Sequence, residues 1–366
     1  VISFIVGTTA ELIKIAPVHH AIAARGTRPQ LWFTAQHMDK IAETLADLKL
    51  PEPDVWLVPK AKAVHVNRPA QVPGWAATVA STAWSRRAEL RDVLTSDGRP
   101  PLVMVHGDTF STPYGSFVGK KVLRARVAHI EAGMRSGSAT SPFPEEINRR
   151  IATRLTDIHL APTHREVKNL AHARGIVVDT GANTVIDSVR AAMTADVTMP
   201  DLPAEFGLAT LHRFELVSRE DKFREVLHML RDASRQTPIL YLAGAPERER
   251  IENLGLGGVF DDERFLMRPK VRYTEFLPLL TRAKFVVTDS GGLQEECAYL
   301  GVPAAIHRER TERHQGLDRN IVLTEMRANK FAAFLADYES LRFPSLMDKY
   351  HPTEIIANTL GQLGFC

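Results

Sequence analysis

The chain has 366 residues, 44% hydrophobic and 24% charged, with a formal net charge of +3. That length exceeds one ordinary core and suits two domains, and the composition is that of a soluble globular protein. The small charge and the lack of a dense Lys/Arg block argue against a nucleic-acid partner, and no apolar run reaches the roughly 18 residues of a membrane span.

The first predicted element is a strand over 2–6; it lacks a basic leader and runs into the turn Gly7-Thr8-Thr9, so it reads as a strand rather than a signal peptide. Residues 10–24 read as a helix kinked at Pro17. A strand over 31–34, a helix over 41–48 and a strand over 55–57 follow, and the stretch 59–74, with prolines and no period, reads as a loop. A single helix is predicted over 75–94. The buried strand 102–105 leads into the polar turn His106-Gly107-Asp108-Thr109, and after another helix the strand 126–130 leads into Glu131-Ala132-Gly133. Lys120, Lys121, Arg124 and Arg126 form the densest basic patch and read as decoration of an exposed helix. Pro144, Glu145 and Glu146 open a helix that continues through Asn148, Arg149 and Arg150.

The alternation resumes after residue 185, with strands over 208–211, 239–242, 285–288 and 303–306. Strands alternating with helices give parallel sheets, and two such series give an α/β chain of two doubly wound domains, 1–185 and 186–352. In such sheets ligands bind at the carboxyl ends of the strands, so the polar residues after the strands are expected to gather in one interdomain cleft. Cys297 lies in an apolar helical stretch and Cys366 at the last position, which indicates no disulfide framework and fits a reducing, cytoplasmic setting.

The run Phe285 to Glu296 is the most informative for chemistry. An apolar strand is followed by Asp289, Ser290, Gly291 and Gly292 and then a helix start. Bare N–H groups at a helix N-terminus attract an anion, and Glu295 and Glu296 sit one turn in, within reach of sugar hydroxyls. The pattern suggests a nucleotide-sugar site; a tight turn without ligand is the other reading. Asp108, Glu131, Glu145 and Glu146 are carboxylates at strand ends or a helix start. Converging carboxylates suit proton abstraction and return, while a turn aspartate and helix-start glutamates are the bland alternatives. His212 and Arg213 follow another strand; His129 reads as structural. Arg308, Arg310 and Arg313 are either a phosphate clamp or a solvated face. No HExxH, Cys-x-x-Cys or GxSxG pattern is present, and no GxGxxG follows the first strand, so neither a metal nor tightly bound NAD is expected.

Several runs occur together in a fixed order over roughly residues 1 to 320. They are Gly7-Thr8 with Glu11 and Ile13-Lys14-Ile15-Ala16-Pro17-Val18, Ala35-Gln36-His37, His106 to Thr109, His129 to Arg135, Pro142 to Arg149, Asn183 to Asp187, Thr210 to Arg213, Asp289 to Glu296 and Thr311-Glu312-Arg313. In this the chain resembles the UDP-N-acetylglucosamine 2-epimerase family. The resemblance implies two Rossmann-like domains in the glycosyltransferase-B arrangement, with a C-terminal helix near 353–366 crossing back to the first domain, and a homodimer. It implies elimination of UDP after C2 deprotonation, with no redox cofactor. It assigns acid/base roles to Asp108, Glu131 and Glu145 and a catalytic role to His212. Lys14, Arg135, Arg149, Arg213 and Arg313 fall to substrate binding, Ser290, Gly291 and Gly292 to the diphosphate, and Glu296 to the ribose.

The chain also departs from that pattern. Thr9 and Ala10 stand where the family has Arg-Pro, Met38 follows Gln36-His37 in place of Arg, Ala243-Gly244-Ala245-Pro246 replaces His-x-Asn-Pro, and His314-Gln315 replaces Pro-Glu. The departures fall on the nucleotide grip and on the family's activator loops, while the acids are kept. The leading expectation is a non-hydrolysing epimerase. A hydrolysing enzyme releasing N-acetylmannosamine and UDP, a glycosyltransferase of the same architecture and a nucleotide-sugar-binding protein without catalysis stay open.

Overall fold

The computed structural model describes residues 1–366 apart from 39, 64, 67–68, 139–142, 194–201, 262, 312 and 318. Ser141 and Pro142, ahead of the Glu145 helix, and Glu312 therefore lie outside the described residues.

The chain divides into two compact units, Val1–Ser188 with Tyr350–Cys366 and Val189–Lys349. The first is built on strands β1 (Ile2–Val6), β2 (Gln30–Phe33), β3 (Val55–Trp56), β4 (Leu102–His106), β5 (Arg126–Ile130), β6 (Ile158–Ala161) and β7 (Ile176–Asp179). Their order is β3-β2-β1-β4-β5-β6-β7, and every pair is parallel. The second holds β8 (Gly207–Thr210), β9 (Ile239–Ala243), β10 (Phe265–Pro269), β11 (Val286–Thr288), β12 (Ala304–Ile306) and β13 (Ile321–Leu323). It runs β10-β9-β8-β11-β12-β13, again all parallel. Both are doubly wound, Rossmann-like sheets with interleaved helices. The winding reverses between β1 and β4 in one and between β8 and β11 in the other, which is where such sheets open a crevice at their carboxyl ends.

Covered on both faces, the central strands are apolar but for Ser3 and His106: β1 and β4 are buried at every position. Phe4, Trp32, Phe33 and Met104 form the first core together with Ile356, Leu360 and Phe365 from the far end of the chain. Each of those last three is fully buried, worth up to about 2 kcal/mol by area. The second core gathers Phe223, Leu227 and Leu230 of the helix Glu220–Ser234 with Tyr241, Phe265 and Phe285. Helix Ser111–Phe117 lies so close on the first sheet that a Cβ at Gly115 would come 2.9 Å from both Ile5 and Val105 side chains.

Two expectations are corrected. The predicted helix over 75–94 is two helices, Val72–Ser85 and Arg87–Thr95, broken at Arg86. The Ser81 and Ser85 hydroxyls each bond a carbonyl three residues back, 3.1 Å away, and such local bonds compete with the helix ladder. The 59–74 stretch is not wholly loop: it holds 3₁₀ turns at Lys60–Lys62 and Pro69–Gln71 and the start of the Val72 helix, with Pro73 in its first turn. Helix Thr9–Ala23 runs on through Pro17. Proline deprives the Ile13 carbonyl of its usual donor, and the Ser188 hydroxyl supplies one at 2.6 Å. Strands β6, β7, β10 and β13 had no counterpart in the predicted elements.

No helix among the described residues is long and apolar enough to cross a membrane.

Candidate active site

In the first unit two carboxylates stand at neighbouring strand ends. Glu131 follows β5 in a left-handed conformation, φ 65°, uncommon for a residue with a side chain. Its carboxylate is almost wholly buried and bonds the Lys14 ammonium, itself buried on helix Thr9–Ala23. Asn183 Nδ2 donates to the same oxygen at 2.5 Å, and His106 Nε2 lies 3.5 Å away. Asn183 is in turn fixed by accepting the Val185 N–H at 3.2 Å. His129 is buried and its Nε2 lies 2.7 Å from the Gly107 carbonyl; burial pushes its pKa down to about 4, so it acts as a neutral prop for the turn before Asp108.

Asp108 follows β4. Arg149 grips one of its oxygens twice, from Nε at 3.0 Å and Nη2 at 2.5 Å, and Asn148 Nδ2 donates to its backbone carbonyl at 2.8 Å. The other oxygen, Oδ1, makes no hydrogen bond among the described residues. Arg149 is held from behind by Glu146, at 3.1 Å from Nη1. Glu146 also accepts from Arg150 at 3.0 Å and from the Ser136 N–H at 3.2 Å, with its side chain fully buried. Glu145, half-buried, opens helix Glu145–Leu155 four residues before Arg149 and thus on the same face. Glu11 ties the two turns together. It accepts from Gly7 N at 3.0 Å, and from the Thr8 and Thr109 hydroxyls at 2.9 Å. Its burial raises the pKa to about 7.

Arg135 is placed differently. Its guanidinium donates to the Met134 carbonyl at 2.7 Å and the Thr153 hydroxyl at 3.1 Å, not to any of the three carboxylates.

In the second unit Asp289, after β11, organises the end of β8. It is fully buried and accepts the N–H groups of His212 and Arg213, both at 2.8 Å, while its other oxygen lies 3.1 Å from His212 Nδ1. Desolvation lowers the His212 pKa against the opposing pull of Asp289. The Arg213 guanidinium makes no hydrogen bond among the described residues. Ser290 caps helix Gly291–Leu300 by accepting the Leu293 N–H at 3.4 Å. A Cβ at Gly292 would meet only that hydroxyl, 3.8 Å off, so the helix start is open to a group arriving there. Glu296 accepts from the Tyr273 hydroxyl at 3.1 Å. Arg313 is turned inward onto buried Glu295, and Gln294 Nε2 holds its carbonyl at 3.2 Å. The adjacent Arg308 is buried and Arg310 exposed.

The structure thus joins Glu131 with Lys14, Asp108 with Arg149, and His212 and Arg213 with the turn ahead of Ser290. Sequence reasoning gave no role to Glu11, His106, Asn183 or Tyr273. It left Glu146 open between a proton-transfer carboxylate and a helix-start residue. Their signal was position after a strand or inside a matched run, without a partner in sequence to mark them. Among the described residues no group of three or more His, Cys, Asp and Glu is arranged to hold a metal.

The fold and these sites define an enzyme built from two Rossmann-like units, with polar groups at the carboxyl ends of its strands. A family model described as UDP-N-acetylglucosamine 2-epimerase matches residues 20–339, and the chain belongs to that family. A UDP-N-acetylglucosamine 2-epimerase of Yersinia pestis is 31% identical over 338 residues, covering 87% of this chain and 84% of that one. A probable UDP-N-acetylglucosamine 2-epimerase of Ralstonia nicotianae is 34% identical over 339 residues, covering 86% and 84%. The crystal structure of the Neisseria meningitidis UDP-GlcNAc 2-epimerase bound to UDP-GlcNAc superposes with a TM-score of 0.79 at 25% identity, covering 99% of each chain.

Proposed function

We propose that this chain interconverts UDP-N-acetylglucosamine and UDP-N-acetylmannosamine without releasing the sugar. The observation that carries the reading is the held pair of carboxylates at the ends of β4 and β5: Asp108 gripped on one oxygen by Arg149, Glu131 buried against Lys14. Family membership supplies the substrate. The reaction opens when a carboxylate takes the C2 proton. The electron pair forms the C1–C2 double bond as the C1–O bond breaks on the opposite face, and UDP leaves with the bonding pair. The product is a 2-acetamidoglucal. Protonation of C2 on its other face and return of UDP to C1 close the cycle. One proton leaves and one returns, so the carbon skeleton is neither oxidised nor reduced and no redox cofactor is consumed.

Asp108, Glu131 and Glu145 are the acid/base set. The unbonded Oδ1 of Asp108 is the oxygen poised for proton transfer, because Arg149 fixes the other. The first unit carries these proton transfers and the second the nucleotide. There the Ser290-Gly291-Gly292 helix start takes the diphosphate, with His212 and Arg213 beside it, and Glu296 takes the ribose. The same reading carries a homodimer in the cytoplasm, the former checked by mass photometry.

Proton NMR with UDP-N-acetylglucosamine in deuterated water tests the proposal. Deuterium at C2 in a UDP-linked manno product is the expected result. Free N-acetylmannosamine with UDP would show water, not UDP, adding to the intermediate. Absence of exchange at C2 would overturn the reading.

A further inference from the structure

The first unit contains a cavity of about 530 Å³ whose lining includes neither Asp108 nor Glu131 among the described residues. Four arginines line it, Arg135, Arg150, Arg154 and Arg174, with His172 and Asn169. Among the described residues the lining includes no carboxylate, and Glu146 stands behind Arg150. Like charges brought together around a concavity repel one another, and the arrangement is relieved by an anion between them. The volume falls inside the roughly 300–1,000 Å³ of small-molecule sites.

The state of each guanidinium points the same way. Arg135 is half-buried, and its bonds go to neutral groups only, the Met134 carbonyl and the Thr153 hydroxyl. Burial also pushes its pKa below the ordinary value. Arg154 and Arg174 are exposed, and their side chains make no hydrogen bond or ion pair among the described residues. Arg150 bonds a carboxylate, Glu146, through Nε at 3.0 Å, and the same carboxylate attracts Arg135 without bonding it; Arg150 Nη2 reaches the Ser138 carbonyl at 3.3 Å. Thr153 and Asn169 add uncharged polar groups, so the site has partners for more than a bare charge.

We propose that this arginine-lined cavity between helix Glu145–Leu155 and the segment 169–174 binds a phosphate-bearing small molecule, apart from the nucleotide-sugar site. Planar guanidinium forks match phosphate oxygens two at a time, and four of them exceed what one carboxylate needs. The cavity outsizes a single phosphate group, which favours a diphosphate or a phosphate ester.

Isothermal titration of the full chain with inorganic pyrophosphate, in the presence of saturating UDP, tests this. Binding is expected to persist under UDP and to weaken by at least about tenfold in Arg154→Ala/Arg174→Ala. Both positions are exposed, so that variant should keep its fold, as circular dichroism will show, and keep its C2 exchange. Arg154→Glu alone should weaken binding further than Arg154→Ala. Glucose 6-phosphate in competition separates two sources of the same chemistry: displacement of pyrophosphate marks a phosphate-ester site, and failure to displace it marks a diphosphate site. No binding at millimolar pyrophosphate, loss of binding under UDP, or equal affinity in the double variant would overturn the proposal.

Discussion

Glu146→Leu tests whether the buried carboxylate behind Arg149 holds the site together. The Glu146 side chain is fully buried and that of Arg149 is 3% exposed. Breaking such a pair from one side costs about 3–5 kcal/mol, because the remaining charge stays desolvated. Arg149 keeps Asp108, and Arg150, 44% exposed, turns to water. The lower end of the range therefore applies, about 3 kcal/mol. Glu146→Gln should cost less, about 1–2 kcal/mol, since its carbonyl still accepts from Arg149 and Ser136 while its amide faces Arg150. All four tryptophans, Trp32, Trp56, Trp75 and Trp84, belong to the first unit, so their fluorescence in urea follows that unit alone. A melting shift of about 6–12 °C should accompany the Leu variant. A Leu variant within about 1 kcal/mol of the parent, or a Gln variant worse than Leu, would refute the reasoning.

Asp108→Asn, Glu131→Gln and Glu145→Gln should each slow C2 exchange by about 10²–10⁴-fold at a temperature where the fluorescence melt shows the variant folded, with Glu131→Gln also melting earlier because it leaves buried Lys14 without its counter-charge; parental rates in all three would remove the carboxylates from the chemistry. Glu11, with its pKa raised from 4.5 to about 7, binds more protons folded than unfolded between those values. Stability attributable to it therefore falls as pH rises through that window, and Glu11→Gln should gain on the parent over the same rise; urea midpoints that move in parallel would contradict this. Ser188→Ala should cost about 1 kcal/mol by leaving the Ile13 carbonyl short of a donor. In a Pro17→Ala background, where the restored N–H takes that carbonyl, the cost should shrink, and an equal cost in both would disprove the link.

How much of this could be read from residues alone depended on whether the signal was local. The strands β1, β4 and β5 were legible because a sheet covered on both faces leaves nearly unbroken apolar runs. Strands such as Ile176–Asp179, with partly exposed side chains, and Ile321–Leu323, only three residues long, were too weak to stand out. Asp108, Glu131 and Ser290 announced themselves by following strands. Their partners did not: Lys14 meets Glu131 across 117 positions, and Asp108 meets Arg149 across 41. The role of Glu146 was hidden by chemistry it shares with any helix-start glutamate, since composition cannot say which of two adjacent carboxylates turns inward.

The first core is closed by residues at both extremes of the chain. Ile356, Leu360 and Phe365 fill it, the Thr353 N–H donates to the Asp187 carboxylate at 2.9 Å, and Arg25 reaches Asn358 at 2.5 Å. A ribosome makes these pieces only after the whole second unit has been synthesised. The first unit is synthesised first yet must wait, unfinished, with part of its apolar interior uncovered. Units usually fold in the order in which they are made. Here the later unit has every element it needs before the earlier one does, and chaperone engagement during translation should centre on the exposed face of helix Thr9–Ala23. A released chain ending at residue 351 should stay protease-sensitive in the first unit while the second is already resistant.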